Sequence, residues 1–353
     1  MDSSSQPATL NFKFNLKFFN LNLKLARRAA RAGGVGLKMA IVLITGASGL
    51  LGRAVVAAYR ANPAVWSRVV AASFSRAAEG GDNVRCDLTD CDAVRALVAS
   101  LRPALVVHAA AERRPDVCEK NAAASEALNV DAVWNLGRAS ASAGAAFIYI
   151  STDYLWDGTA APYGEDAPVC PLNAYGRQKA RGEWAARAAH EGACVLRVPV
   201  LYGPTVDLRE SAVTTFAAAV LDAAKAQAID DWQVRVPTYT PDIAATLERL
   251  GAALVGRPPA GAALAGPKAL AGLWHYSSAD CTTRWQLCAL FGELLGAPTG
   301  HIARLEGEPP GAKRPYDCLL RTDKLRATGL AAPCTPLREG LVAVLTGAGM
   351  LKQ

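Results

Sequence analysis

A short apolar run that ends in a glycine-rich turn constrains this chain more than any other feature. Residues 40–45 read AIVLIT, and Thr45-Gly46-Ala47-Ser48-Gly49-Leu50-Leu51-Gly52 follows without a gap. An unbroken run of aliphatic and β-branched residues suits a strand covered on both faces of a parallel sheet. The three glycines answer three separate needs. Gly46 permits the tight turn, Gly49 lets a pyrophosphate approach the backbone, and Gly52 allows the next helix to pack closely on the strand. A helix opening at Leu50 and Leu51 would point free N–H groups and the positive end of its dipole at the phosphates, beside Ser48. A glycine triplet alone is a weak signal. Its position between a strand and a helix, at the start of a domain, makes it a strong one.

The rest of the first half continues that rhythm. Runs at 68–74, 104–108, 145–150 and 194–198 read as further buried strands. Helical stretches lie between them at 50–60, 92–101, 122–142 and 175–190. Strands alternating with helices predict an α/β fold, a NAD(P)-binding Rossmann domain built on a doubly wound parallel sheet. After Gly203 the pattern changes. Helices are expected at 211–225, 240–253 and 284–295, a strand at 273–277, and a Gly/Ala/Pro-rich loop at 256–272. The predicted organisation is a basic extension over 1–38 and a Rossmann domain mainly over 39–203. A smaller substrate or partner lobe follows, mainly over 204–345 with some exchange of chain, and a tail covers 346–353.

The end of the second strand bears on which dinucleotide is bound. NAD binders place an acid there for the ribose 2′-hydroxyl. This chain has Phe74-Ser75-Arg76, and a guanidinium suits a 2′-phosphate. NADP(H) is therefore the expected cofactor.

A second constellation carries chemistry. Tyr175 and Lys179 stand four residues apart, on one face of a predicted helix. An ammonium beside a phenol stabilises its anion, so Tyr175 could pass a proton to a carbonyl as hydride arrives from a nicotinamide. Ser151 or Thr152, at the end of a predicted strand, could bind the same carbonyl oxygen. No G-x-S-x-G elbow supports a hydrolase, and no G-x-x-x-x-G-K-[ST] loop marks a nucleotide triphosphatase. His108, which closes a buried strand, is expected in the core.

Charge and cysteine usage narrow the setting. Of the net charge of +7, residues 1–38 hold +6, which leaves the body near neutral and removes the case for nucleic-acid binding by the fold. That basic segment is read as a disordered leader or a targeting sequence, with translation from Met39 as the other option. The nine cysteines form no C-x-x-C pair, so reduced intracellular thiols and no metal are expected. No apolar run is long enough to span a bilayer. A cytoplasmic location is expected, with organelle import through residues 1–38 as the alternative.

Together these motifs resemble the extended short-chain dehydrogenase/reductases, and within them the dTDP-4-dehydrorhamnose reductase-like group. YISTDYLWDG at 149–158, PLNAYGRQK at 171–179 and RVPVLYG at 197–203 carry that resemblance over roughly residues 40–340. GLLGRAV at 49–55, HAAAERRPD at 108–116, ESAVT at 210–214 and Arg314-Pro315 are similar to the regulatory beta subunits of methionine adenosyltransferase II. That closer resemblance implies NADP binding by Ser48–Leu51, Phe74 to Arg76, Asp87, Leu88, Ala109, Arg113, Tyr175, Lys179 and Leu201. It also implies association with the catalytic synthetase subunit and control of S-adenosylmethionine production. The alternative is an NADPH-dependent reductase of a 4-keto nucleotide sugar that uses Thr152, Tyr175 and Lys179. The longer 256–272 segment and the sequence from Leu337 onward depart from the beta-subunit pattern.

Overall fold

A computed structural model describes residues 40–75 and 80–351. The expectations for residues 1–38, Met39 and Arg76 fall outside the described residues. In chain order the first half comprises β1 (Ala40–Thr45), α1 (Leu50–Arg60), β2 (Trp66–Ser73), β3 (Asn83–Arg85), α2 (Cys91–Leu101), β4 (Leu105–His108), α3 (Pro115–Lys120), α4 (Ala122–Glu126), α5 (Ala132–Ala143), β5 (Ala146–Thr152), α6 (Ala174–Ala189), β6 (Cys194–Val198) and β7 (Leu201–Tyr202). The second half adds α7 (Thr215–Leu221), β8 (Gln227–Asp230), β9 (Thr238–Tyr239), α8 (Thr240–Leu254), β10 (Gly272–His275), α9 (Arg284–Leu295), β11 (Ile302–Leu305), α10 (Asp323–Ala327) and α11 (Leu337–Gly347).

Seven strands form one sheet in the order β10-β6-β5-β4-β1-β2-β3, and every pairing in it is parallel. The fold is an α/β Rossmann fold. Alternation along the strands divides the side chains between the two faces. Val42, Ile44, Leu105, Val107, Ile148 and Ile150 join a core with α1 and α8. Leu43, Val106, Phe147 and Tyr149 are fully buried on the opposite face, where α2, α5 and α6 pack on one another. Tyr59 on α1 ties the first layer together by donating its phenolic proton to the Leu247 carbonyl at 2.7 Å. The chain passes from β1 to β2 on one side of the sheet and later places β4 on β1's other side. A crevice therefore opens at the carboxyl ends of β1 and β4, where ligands bind in such sheets.

The division at residue 203 is not a clean cut. Helix α8 covers α1, and β10 extends the large sheet beyond β6. The remainder of the second half has its own core, in which Tyr202, Val213, Val220, Phe291, Ile302 and Leu341 meet. The C-terminal stretch from Leu337 belongs to that core. In α11, a Cβ at Gly340 would press on the Tyr202 ring at 2.9 Å, so the helix lies close over the tyrosine and runs past the 345/346 boundary expected from sequence.

Two expected helices differ from the observed ones. The 122–142 helix is interrupted by a π-helical turn at Ala127–Asp131. The 211–225 helix shrinks to α7. Ser211 Oγ accepts from the backbone N–H of Val213 at 3.0 Å, a local bond that competes with helix formation. Among the described residues no helix is long and apolar enough to cross a membrane.

Candidate functional site

The glycine turn is fixed by backbone contacts. Gly46 has φ +68°, and a Cβ there would stand 2.6 Å from the Ala110 nitrogen. A Cβ on Gly52 would collide with the Gly46 carbonyl and approach the Ala47 Cα at 2.8 Å. Gly49 differs from both, since only the Gly46 carbonyl lies near its missing Cβ, at 3.2 Å. Its outer face is open, at the head of α1. That open cradle fits a phosphate-bearing dinucleotide. Ser48 is held beside it, its N–H donating to Ser73 Oγ at 3.1 Å. Leu50 is partly buried and Leu51 is buried.

The next candidate residues lie past β2. Phe74 is 51% exposed, Ser75 is exposed, and Arg76 falls outside the described residues. Sequence reasoning passed over Arg85, which ends β3 opposite Ser73 and lays its guanidinium 5.2 Å over the Phe74 ring. It places a cation beside the end of β2. Asp87 Oδ1 accepts from both the N–H and the hydroxyl of Thr89, at 2.9 and 2.7 Å, and Leu88 beneath it is buried.

The far end consists of buried ionisable side chains. Lys179 is 2% exposed. It donates to the Ile150 carbonyl at 2.6 Å and lies 4.2 Å above the Tyr149 ring. Burial draws its ammonium down to about 7, against the pull of Glu183. Tyr175, partly buried, faces Tyr154 edge-on at 5.9 Å. Burial pushes its phenol up, a hydrogen bond from Thr152 opposes this, and the Asp153 charge adds to it. The lysine was expected to draw the phenol down, but desolvation dominates here. Thr152, which ends β5, is buried and donates to Asp153 Oδ1 at 3.2 Å. His108 is a core residue paired with the Thr45 hydroxyl at 2.7 Å. Burial takes its imidazole down to about 3.

Three further residues at this end had no clear sequence signal. Asp153 reads as loop polarity, yet it is 6% exposed. Burial raises it to about 6 against the attraction of Arg235. Arg235, itself buried, stacks 5.4 Å from the Tyr154 ring. Asn129 is projected inward by the π turn and donates to Gln178 Oε1 at 2.9 Å and to the Glu112 carbonyl at 3.0 Å. An asparagine inside a helical pattern was the only hint of it.

Several of the runs singled out in the sequence come together in the fold. Arg53 on α1 forms a two-pronged pair with Glu210, at 2.9 and 2.6 Å, and also donates to the Ser48 carbonyl at 2.8 Å. Arg113, exposed after β4, donates to the Glu210 carbonyl at 2.5 Å. Arg314 pairs with Asp116 at 2.9 Å. Ala109 and Leu201 are partly buried, Ala109 immediately after β4 and Leu201 at the start of β7.

A parallel sheet with a glycine cradle at its switch point, and a Tyr-x-x-x-Lys helix beyond β5, define the extended short-chain dehydrogenase/reductase class. The chain belongs to the family described as RmlD substrate binding domain, whose model matches residues 39–349, and to the family of the methionine adenosyltransferase 2 beta subunits. It is 38% identical over 300 residues to methionine adenosyltransferase 2 subunit beta of Xenopus tropicalis, covering 85% of each chain. It is 35% identical over 303 residues to a probable dTDP-4,6-dihydroxy-2-methyloxan-3-one 4-ketoreductase of Streptomyces antibioticus, covering 84% of this chain and 90% of that one. The fold is shared with dTDP-4-dehydrorhamnose reductase of Bacillus anthracis, solved in complex with NADP. The TM-score is 0.72 at 22% identity, over 88% of this chain and 99% of that one.

Proposed function

We propose that the chain is an NADP(H)-holding regulatory subunit that associates with the methionine adenosyltransferase catalytic subunit and modulates S-adenosylmethionine synthesis in the cytoplasm. The observation that carries this reading is the 38% identity to a beta subunit along 85% of both chains. Gly46, Ser48, Gly49, Leu50, Leu51 and Gly52 cradle the pyrophosphate in this reading. Phe74, Ser75 and Arg76, with Arg85 beside them, take the adenosine and its 2′-phosphate. Asp87, Leu88 and Ala109 line the adenine side, and Arg113, Tyr175, Lys179 and Leu201 continue toward the nicotinamide. The lobe from 204 to 345, apart from α8 and β10, serves the partner. The test is co-purification with the catalytic subunit and comparison of synthetase kinetics with and without this chain. Stable association and altered kinetics are expected, and the absence of both would contradict the reading.

A reductase reading is favoured by one observation, the bond between Thr152 and Tyr175, with Lys179 one turn further along α6. The dinucleotide would supply hydride. Tyr175 would hand its phenolic proton to the carbonyl oxygen of a 4-keto nucleotide sugar, with Thr152 holding that oxygen. NADPH oxidation with such a sugar that disappears in Tyr175→Phe would establish it. No turnover by the unaltered chain would remove it.

A further inference from the structure

Residues 204–211 lie outside the strands and α-helices, yet side-chain and backbone bonds tie them down. Ser211 Oγ donates to the Leu201 carbonyl at 2.8 Å, next to where the segment leaves β7. Inside the segment, the Thr205 hydroxyl is bonded to the Asp207 carbonyl at 2.7 Å and to Glu210 Oε2 at 2.9 Å. Val206, at its outer tip, is 90% exposed. The fastening to the rest of the fold is made by Glu210, beside Ser211. Its carboxylate holds Arg53, which follows β1, and its carbonyl holds Arg113, which follows β4. These are the two strands whose carboxyl ends flank the crevice. One glutamate therefore joins both lips of the crevice to the segment between them.

We propose that Glu210 clasps residues 204–211 as a strap across the dinucleotide crevice, so that exchange of the cofactor waits on release of the Arg53–Glu210 pair. This rests on the dinucleotide-holding reading above and concerns how that site is regulated. A two-pronged Arg–carboxylate bond is among the stronger polar contacts. Here the Glu210 side chain is 13% exposed and Arg53 32%, so water screens the pair less than it would on an open surface. A strap fastened to both lips is a barrier in both directions. It slows entry and departure alike and leaves affinity nearly unchanged, as lids do when they gate exchange. Slow exchange suits a cofactor kept as part of the structure more than one released at every turnover. GLLGRAV supplies Arg53, HAAAERRPD supplies Arg113 and ESAVT supplies Glu210, so three of the runs singled out in the sequence end in this clasp.

Stopped-flow measurement with NADPH, following nucleotide fluorescence, tests the strap on the full chain and on Glu210→Gln. Both the association and the dissociation rate are expected to rise by about tenfold in the variant, with Kd changed by less than about threefold. Unchanged rates would overturn the proposal. So would a faster dissociation alone with a matching rise in Kd, which would make Glu210 a support of the binding surface and not a gate. Should Glu210→Gln fail to fold, Thr205→Val removes the hydroxyl's bonds to the carboxylate and to Asp207 and leaves the Arg53–Glu210 pair in place. A smaller acceleration in both directions is then expected, and unchanged rates would again overturn the strap. If the unaltered chain binds no NADPH, the dinucleotide reading itself falls, a result distinct from either failure of the strap.

Discussion

The two ends of the crevice are built from different materials. At the Gly46–Gly52 end the determinants are steric: glycines whose Cβ positions are filled by backbone, and one, Gly49, left open. At the Tyr175–Lys179 end they are electrostatic: Lys179, Asp153 and Tyr175, with protonation displaced by burial. The first end depends on shape and responds little to pH. The second sets its charge state near neutrality and responds to pH strongly. Substitutions at the two ends therefore differ in kind, and five of them could break or sharpen the contrast.

The largest effect is expected at the steric end. Gly52→Ala drives a Cβ into backbone that cannot swing away and should cost about 3 kcal/mol or more, with loss of NADPH binding. Gly49→Ala sharpens the point. Its stability should stay near that of the unaltered chain while NADPH affinity falls, because the added methyl takes the phosphate's space. Thermal unfolding and nucleotide titration of the two variants separate these outcomes. Equal stability losses would break the distinction between the two glycines.

At the other end, Lys179→Met should stabilise the protein at pH 6, by an amount on the order of 3 kcal/mol. The folded-state value of about 7 lies below the ordinary lysine value of 10.5. The cost of the buried ammonium is thus fully present below about pH 7. Between about pH 7 and pH 10 the unfolded chain holds a proton that the folded chain has lost, so the stability of the unaltered chain rises with pH. Denaturant unfolding across that range should show the slope in the unaltered chain and a flatter line in Lys179→Met. Equal slopes would contradict the electrostatic account.

Smaller effects probe the ends individually. Arg85→Ala should weaken NADPH binding by about tenfold, roughly 1.4 kcal/mol, and leave NADH binding unchanged. A parallel loss for both nucleotides would give Arg85 a packing role against Phe74. The smallest effect is expected from Tyr175→Phe, which keeps the ring against Tyr154 and removes the hydroxyl. NADPH affinity should change by less than about twofold, and regulation of the synthetase should persist. A large loss of regulation would tie the partner's response to the chemistry end of the crevice.

The same contrast explains what could be read from sequence. Strand β1, helix α1 and the turn between them were legible to the residue, because glycine spacing and a local apolar run carry the whole determinant. The Tyr175 and Lys179 positions were legible as a spacing, but their charge states were not. Those depend on Ile150, Tyr149, Glu183 and Asp153, which only the folded chain brings near. Asn129 was hidden because a π turn needs tertiary contacts to settle inside a helical pattern. The clasp was legible only as unexplained motifs. Arg53 and Glu210 stand 157 residues apart, and nothing local marks them as partners. Helix α11 was hidden for a related reason, since the partners of its apolar face, Tyr202 among them, lie far away in sequence.

Titration of the purified chain with NADPH and with NADH by calorimetry tests the central claim most directly. One NADPH should bind per chain, more tightly than NADH, with the binding abolished in Gly52→Ala. If neither nucleotide binds, or if NADH binds the more tightly, the crevice does not hold the phosphorylated dinucleotide for which its glycines and arginines are read.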